Sequence, residues 1–578
     1  MKSSAKKILT VICSLFLSVF MFAGCNLIEV NKAKYYSQTV VSVELQDGYG
    51  EDYNVYLEKY SKKDLLTAYY NYAYSYVSNG QISTKDGVNY ALNNMVNLDL
   101  LYKYVKQNYF DNPSCDLEFT DEDRNDVKLE VHDAIQEQIT TLEDKIYEEW
   151  EIDHTKQDDL SSEEKKSLRK EYEPYTSKVE LQVINGKEEI VLSPSQLVKT
   201  HDPRVAGDKF VQKINNPEVS KEAYTRYIKS LQDTAKAEGA STKESVVFEN
   251  ELNRLTKIYT RTKYLSLFET WYNINHNFTY DTTNKVYILN DEIKNQVVAY
   301  YKERFISQKN IYDNNESAYH TAMAGDSTDE IYYHYNSGNE YMYVSHILMK
   351  FSDAQKAQIA ELKKKLEKNA ITQEMYDALV QDIANRTVVT YEEDGEERTS
   401  NALEVTKAIK QYVNAVSYEN KEGEDLETAL NERAKLFNDM IYKYNDDEGI
   451  MNKDFAYVVN LDTEVSDKMV KEFADTAREL NEKQSEGAMS DMVITEYGVH
   501  ILYHAGLVKN VVKDIDTLTA FDLIKKHTQR SSNKTLFAKI YDTVVSENYK
   551  KASNGFVSDC YNFVKIVKYE KRYKDLTK

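Results

Sequence analysis

Proline is scarce in this 578-residue chain, and all of it lies in one stretch: Pro113, Pro174, Pro194, Pro203 and Pro217. Nothing after Pro217 carries the residue that most strongly interrupts a helix. Long proline-free segments with apolar residues at helical spacing therefore predict α-helices. Cysteine is nearly as rare. Of four, Cys13 and Cys25 belong to the extreme N-terminal segment, and Cys115 and Cys560 lie far apart. Those two could form one disulfide, but they make no disulfide framework and give little support to a metal cluster or a cysteine nucleophile. Basic charge is in deficit, with 73 Lys and Arg against 95 Asp and Glu, a net −22. Loss of Lys2, Lys6 and Lys7 with a leader takes it to −25. Nucleic acid is excluded as an expected partner, since binding it relies on a basic face. Broad adhesion to anionic lipid is disfavoured by the same sign. Beyond the first 24 residues no run approaches the roughly 20 apolar residues that span a bilayer. There is no phosphate loop, nucleophile elbow or fixed-period repeat, and no cofactor is expected.

What is present begins with "MKSSAKK", a basic start, and "ILTVICSLFLSVFMFAG", an apolar run closing on small residues before Cys25. That is the layout of an export signal, removed rather than kept as a membrane helix. "FAGC" resembles the lipobox of bacterial lipoproteins, which implies cleavage after Gly24 and lipidation of Cys25. The mature chain is then expected at the cell membrane, held on its extracytoplasmic face through the lipid alone.

Several elements can be read along the chain. "TVVSVEL" alternates like a short strand, and "KKDLLTAYYNYAYSYVSNG" reads as one tyrosine-rich helix closed by Gly80. Ser83 is a plausible N-cap for a helix with Ala91, Met95, Leu98, Leu101, Tyr102 and Val105 on its apolar stripe. Residues 121–172, 219–275 and 288–308 read as helix. Asn185-Gly186 within "VELQVINGKEEIVL" supplies the positive φ angles of a type I′ hairpin, and Asp394-Gly395 signals another. "DAQKAQIAELKKKLEKN" predicts a helix with Ala354, Ile359, Leu362 and Leu366 on one side. "SDKMVKEFADTAREL" predicts another helix, "YGVHILYH" a strand, and "YNFVKIVKY" a short strand near the end of a mostly helical tail. The 48 tyrosines fit core and surface filling, or clefts that hold extended chains, because tyrosine offers large contact area at low side-chain entropy cost.

Two histidines carry the chemical signal. His346 sits inside the apolar strand "YMYVSHILMKFSD", where an imidazole costs free energy unless both ring nitrogens find partners. His500 occupies a second such strand, between Val499 and Ile501. If the strands are neighbours, each ring supplies the other's partner. His500 and His504 would lie about 13 Å apart along a strand, which is poor for one metal.

At these residues the chain resembles the parvulin-type peptidyl-prolyl isomerases. "VSHILMKF" is similar to their first strand, "YNDDEG" to an acidic loop, "KMVKEFADTAREL" to the segment that forms the proline pocket, and "ITEYGVHILY" to the closing strand. The resemblance implies that His346 and His500 are the paired histidines and that Asp447 stands where the family has cysteine or aspartate. It makes Thr495 the threonine before the closing strand, and Met469 and Phe473 the pocket floor, four apart on one helix face. Two departures stand out. About 70 extra residues, roughly 360–430, interrupt the domain, and the family's glycine-rich turn is reduced to "NKDFAYVV", which keeps Asp454.

The lipobox, "ALNNMVNLDLLYKYVKQN" and the domain order resemble PrsA-type foldase lipoproteins, with SurA-type chaperones more distant. This implies an α+β chain in which a parvulin-like small antiparallel sheet with helices is flanked by a mostly α-helical chaperone-like module. The expected organisation is a signal peptide at 1–24, a helical region at 25–335, an isomerase domain at 336–507 and a helical segment at 508–578 packing on the N-terminal region. The implied activity is prolyl isomerisation with foldase action on unfolded or partly folded secreted chains. The alternative is a parvulin-fold holdase without catalysis. Self-association into a homodimer is left open.

Overall fold

The computed structural model describes residues 32–150, 180–192, 217–237, 240–325, 328–335, 340–393, 396–451, 456–462, 469–525, 527–528 and 531–577. The leader, Cys25 and Asp454 lie outside them, as do the helical expectation for 151–172 and the Asp394-Gly395 turn. The chain is α+β, rich in helices with small antiparallel sheets. It divides into two compact units. One comprises residues up to 158, 200–276 and 545–578, and the other 159–199 and 277–544.

In the first unit, strand β1 (Thr39–Leu45) lies between β2 (Glu58–Ser61) and the last strand, Val564–Lys568. The tyrosine-rich segment forms two helices rather than one, α1 (Lys62–Tyr72) and α2 (Tyr74–Ser78). Ala73 leaves helical geometry between them and is fully buried in the core, so packing there overrides continuous helix. Ser83 caps α3 (Thr84–Val105) by accepting from the Asp86 N–H. Ala91, Met95, Leu101 and Val105 of its expected stripe are buried, while Leu98 and Tyr102 are half-buried. Helices α4 (Asp121–Glu149), α5 (Pro217–Ala237) and α6 (Glu244–Asn277) share a second core through Val131, Ile135, Tyr227, Leu231 and Leu255. Cys115 and Cys560 are both free thiols.

In the second unit, β3 (Glu180–Ile184) and β4 (Lys187–Leu192) form the expected hairpin, with Asn185 and Gly186 at φ 52° and 79°. They continue through β6 (Val286–Leu289) to β5 (Phe278–Asp281). Residues 286–289 are thus strand, not helix, because their backbone pairs across that hairpin; α7 (Asp291–Tyr312) starts only after Asn290. Helix α8 (Glu316–Met323) follows.

The sheet that carries His346 and His500 has the order β10-β7-β12-β11 and is antiparallel throughout. Its strands are β7 (Tyr341–Lys350), β10 (Tyr457–Asn460), β11 (Val493–Ile494) and β12 (Gly498–Leu507). Between β7 and β10 run α9 (Asp353–Glu367), α10 (Gln373–Asn385), the β8–β9 hairpin (Val388–Glu393, Glu396–Asn401), α11 (Ala402–Asn414), α12 (Gly423–Tyr444) and the short α13 (Glu448–Met451). Helix α14 (Lys471–Lys483) follows β10 and covers one sheet face through Phe473, Ala474, Ala477 and Leu480. Phe437 of α12 stacks on Tyr503 on the opposite face. Period-2 alternation explains the split: Met342, Val344 and His346 face α14, and Tyr503 faces α12. Helix α9 forms as expected, but none of its residues is buried; Ile359, Leu362 and Leu366 are half-buried and Ala354 is exposed. Packing against α10 leaves that stripe only partly covered.

The extra segment is tied to the sheet by Arg433 on α12, which is buried. Its guanidinium donates to the carbonyls of Val413 and Val416, to Asn414 Oδ1 and to the Gly487 carbonyl. It therefore satisfies the last carbonyls of α11 and a loop beside β12 together. Arg433→Met keeps the stem and removes the guanidinium donors from those acceptors. We expect a loss of about 3 kcal/mol, read as a lower urea midpoint and faster amide exchange in residues 402–414.

Candidate functional site

Four side chains join in one line across the sheet. His346 Nε2 lies 2.9 Å from Asp447 Oδ2, His346 Nδ1 lies 3.1 Å from His500 Nδ1, and His500 Nε2 lies 2.8 Å from Thr495 Oγ1. The imidazoles are close to parallel, at 20° and 5.2 Å between centroids. Register produces this meeting. His346 is directly opposite Leu502 and His500 opposite Leu348, so the histidines are diagonal neighbours on the same face.

Each member is positioned by its own local device. Asn445, fully buried at the end of α12, accepts from the Leu348 and Asp447 N–H groups and donates to the Asp447 carbonyl. Asp446 N–H donates to the Leu348 carbonyl, and its carboxylate accepts from the Lys350 N–H. The loop is thereby laced along β7, which brings Asp447 to His346. Asp447 Oδ1 accepts from the Gly449 N–H, and Oδ2 also accepts from the Tyr457 hydroxyl at 2.9 Å. Thr495 sits in a tight turn closed by its own N–H on the Gly498 carbonyl, and its Oγ1 accepts from the Tyr497 N–H. Gly498 is required there because a Cβ would collide with the Met349 carbonyl oxygen.

The electrostatics assign the protons. Burial pushes the Asp447 pKa upward, but hydrogen bonding to His346 and its charge, the Gly449 N–H and Tyr457 overcome it and hold the carboxyl well below its usual range. Asp447 is then an acceptor only. His346 therefore donates from Nε2, its Nδ1 meets His500 Nδ1, and His500 Nε2 pairs with the Thr495 hydroxyl. Burial, and then the neighbouring His346, lower the His500 pKa from 6.5 to about 3. His500 is thus a neutral imidazole at pH 7, with both of its ring nitrogens in hydrogen-bond contact.

Phe473 lies edge-on over both rings, 5.2 Å from His346 and 5.7 Å from His500. Met469 is not on the same helix as Phe473. Val470 is extended, with ψ 147°, and α14 begins at Lys471, so Met469 lies just before it, half-buried against the same core cluster. Exposure grades the site: Phe473 and His346 are 3 % exposed and His500 4 %, whereas the Asp447 side chain reaches 25 %. Tyr457, Asn445 and Gly449 were not singled out from sequence; the only signal was their position within or beside "YNDDEG" and "AYVV". His504 is a structural histidine by its contacts, accepting from the Gly506 N–H at 3.1 Å and lying 3.4 Å from Asn481 Oδ1. Among the described residues, no cluster of His, Cys, Asp or Glu has metal-binding geometry.

No protein-family model matches the chain, and no curated protein matches it. Among solved structures, a chain from the work on the virulence factor PEB4 and the periplasmic protein Cj1289, two SurA-like chaperones of Campylobacter jejuni, matches at 15 % identity. The match covers 66 % of this chain and 96 % of that one, with a TM-score of 0.12. At that score the two do not superpose, and the site's own geometry is what bears on function.

A pH dependence follows from the two depressed groups. Unfolded His500 takes up a proton as pH falls through 6.5, while the folded form refuses it until about 3. Folding stability is therefore lost across that window as pH falls, with a slope of up to about 1.4 kcal/mol per pH unit. Asp447, depressed from 3.8, adds loss in the same direction at the acid end. His500→Gln should flatten the difference between urea midpoints at pH 4.5 and 7.5.

Proposed function

We propose that the chain is an extracytoplasmic peptidyl-prolyl cis-trans isomerase and foldase, anchored through Cys25 and acting on unfolded or partly folded secreted chains. The observation that carries this reading is the Asp447–His346–His500–Thr495 line beside Phe473 and Met469. Rotation about an X–Pro bond faces a barrier of about 18–20 kcal/mol and breaks no covalent bond. It needs no nucleophile and no metal, only a site that binds the twisted imide better than either planar form. A thousandfold acceleration asks for about 4 kcal/mol of such preference.

The graded exposure supports the following division of roles. Asp447, the most open of the four polar members, and Met469 are the groups placed to meet a peptide; His346, His500 and Thr495 act through them. A fixed carboxylate near the imide oxygen is worse for the planar, charge-separated resonance form than for the twisted one, which favours rotation. Met469, backed by the buried Phe473, offers apolar surface for the prolyl ring. The helical unit supplies holding surface, with Tyr74, Tyr76 and Tyr90 exposed on it. Export and lipid anchoring rest on the "FAGC" signal.

A second reading, a holdase of the same architecture without turnover, draws on the near-complete burial of Phe473 and both imidazoles. The two separate cleanly. On a proline-containing tetrapeptide, His346→Ala and Met469→Ala should each lower kcat/KM tenfold or more, a loss of at least about 1.4 kcal/mol in transition-state binding. Equal background rates for wild type and both variants would remove the enzymatic claim. Suppression of aggregation of a proline-free client, unchanged in His346→Ala, would then support the holdase.

A further inference from the structure

We infer that Tyr457 is a positioning residue of this site, whose hydroxyl locks the Asp447 carboxylate and, through it, sets which nitrogen of each buried histidine carries the proton. Three independent features of the fold lead to it. First, strand register: Tyr457 on β10 is directly opposite Val344 on β7, which shares a face with His346. Tyr457 is therefore a diagonal neighbour of His346, within reach of a long aromatic side chain. The ring centroids are 5.4 Å apart, tilted by 49°. Second, shared acceptance: the Tyr457 hydroxyl and His346 Nε2 both lie 2.9 Å from the same oxygen, Asp447 Oδ2. One oxygen holding two donors is fixed in direction, and the Gly449 N–H fixes the other at 2.9 Å. Third, space: a Cβ at Gly449 would overlap the Tyr457 hydroxyl and press on Asp447 Oδ1. The turn is bare at the one point where the hydroxyl passes.

Among the described side chains, the titratable groups facing Asp447 are His346 from β7, His500 from β12 and Tyr457 from β10, with Asp446 beside it on its own loop; α14 presents uncharged Phe473. Among these, Tyr457 and His346 donate to the carboxylate. Without the phenol, the carboxylate keeps His346 and the backbone but loses its second side-chain donor, and its orientation toward the imidazole slackens. Burial and the neighbouring carboxylate hold the Tyr457 pKa above its ordinary value, so it is a donor throughout the working range. The ring itself is apolar support, which is why the hydroxyl alone is the part to remove.

This deepens the proposed function, since an effect on turnover exists only if the site turns over. The test uses the full chain carrying Tyr457→Phe, with two readouts. One is the imidazole 15N resonances of His346 and His500, assigned by single-histidine replacement; the other is kcat/KM for the proline tetrapeptide across pH. Loss of the donor lets Asp447 protonate at higher pH, so the acid limb of kcat/KM should move upward. The rate at neutral pH should fall about tenfold, as for one hydrogen bond to a charged group. The His346 Nε2–H resonance should shift, and its solvent exchange should quicken. Gly449→Ala, which keeps the tyrosine and displaces its hydroxyl, should reproduce all three changes and stands in if Tyr457→Phe does not fold. Wild-type imidazole resonances and an unmoved acid limb in a folded variant would overturn the inference. If the wild type shows no turnover, the isomerase reading fails while the imidazole resonances still decide the role of Tyr457.

Discussion

The constraint on which the site depends is the burial of two imidazoles inside a sheet covered on both faces. In such surroundings an unpaired ring nitrogen or an imidazolium charge is costly. The chain meets this by giving all four nitrogens a partner and by placing a charged acceptor at one end of the line. The remaining features are consequences. Asp447 must stay ionised, so it collects Gly449 and Tyr457 as donors besides His346. The loop that carries it must not drift, so Asn445 and Asp446 bond it to β7. Thr495 must turn its hydroxyl inward, so a tight turn and Gly498 hold it against the end of β7.

The long segment between β7 and β10 leaves the central strand β7, returns along it at Asn445–Asp447, and closes on the edge strand β10. Its helices pack largely on one another and on α12, and Arg433 ties α11 to the loop beside β12. Buried among backbone carbonyls and the Asn414 side chain, that arginine adds cohesion through several hydrogen bonds at once. The polar line and the cover that α14 lays over it thus share one face, and the inserted structure belongs to the other side and edge.

Much of this was legible in the residues. Ser83 as an N-cap, Asn185-Gly186 as a positive-φ turn and the helical stripe of α3 are local signals, decided within a few residues. So is the oddity of a histidine inside each of two apolar strands. Other features were not legible because distant atoms decide them. Ala73 leaves the helix because the core takes its methyl. Residues 286–289 become strand because a hairpin partner is available. Met469 falls outside α14 because Val470 is extended, and the stripe of α9 stays uncovered because α10 reaches only part of it. Tyr457 carries no mark of its own in "AYVV"; only the pairing of β10 with β7 brings its hydroxyl to Asp447.

By itself the sequence determined many of the helices, caps and turns, that two imidazoles would need partners, and that the N-terminal run is export-like. Those follow from periodicity, turn chemistry and side-chain hydrogen-bonding capacity, all of which act locally. Only the tertiary structure decided that the two histidines partner each other and that Asp447 rather than another acid of its loop ends the line. The reason is register: an antiparallel sheet sets which residues sit diagonally across from one another, and moving it by one residue would turn His346 away from His500.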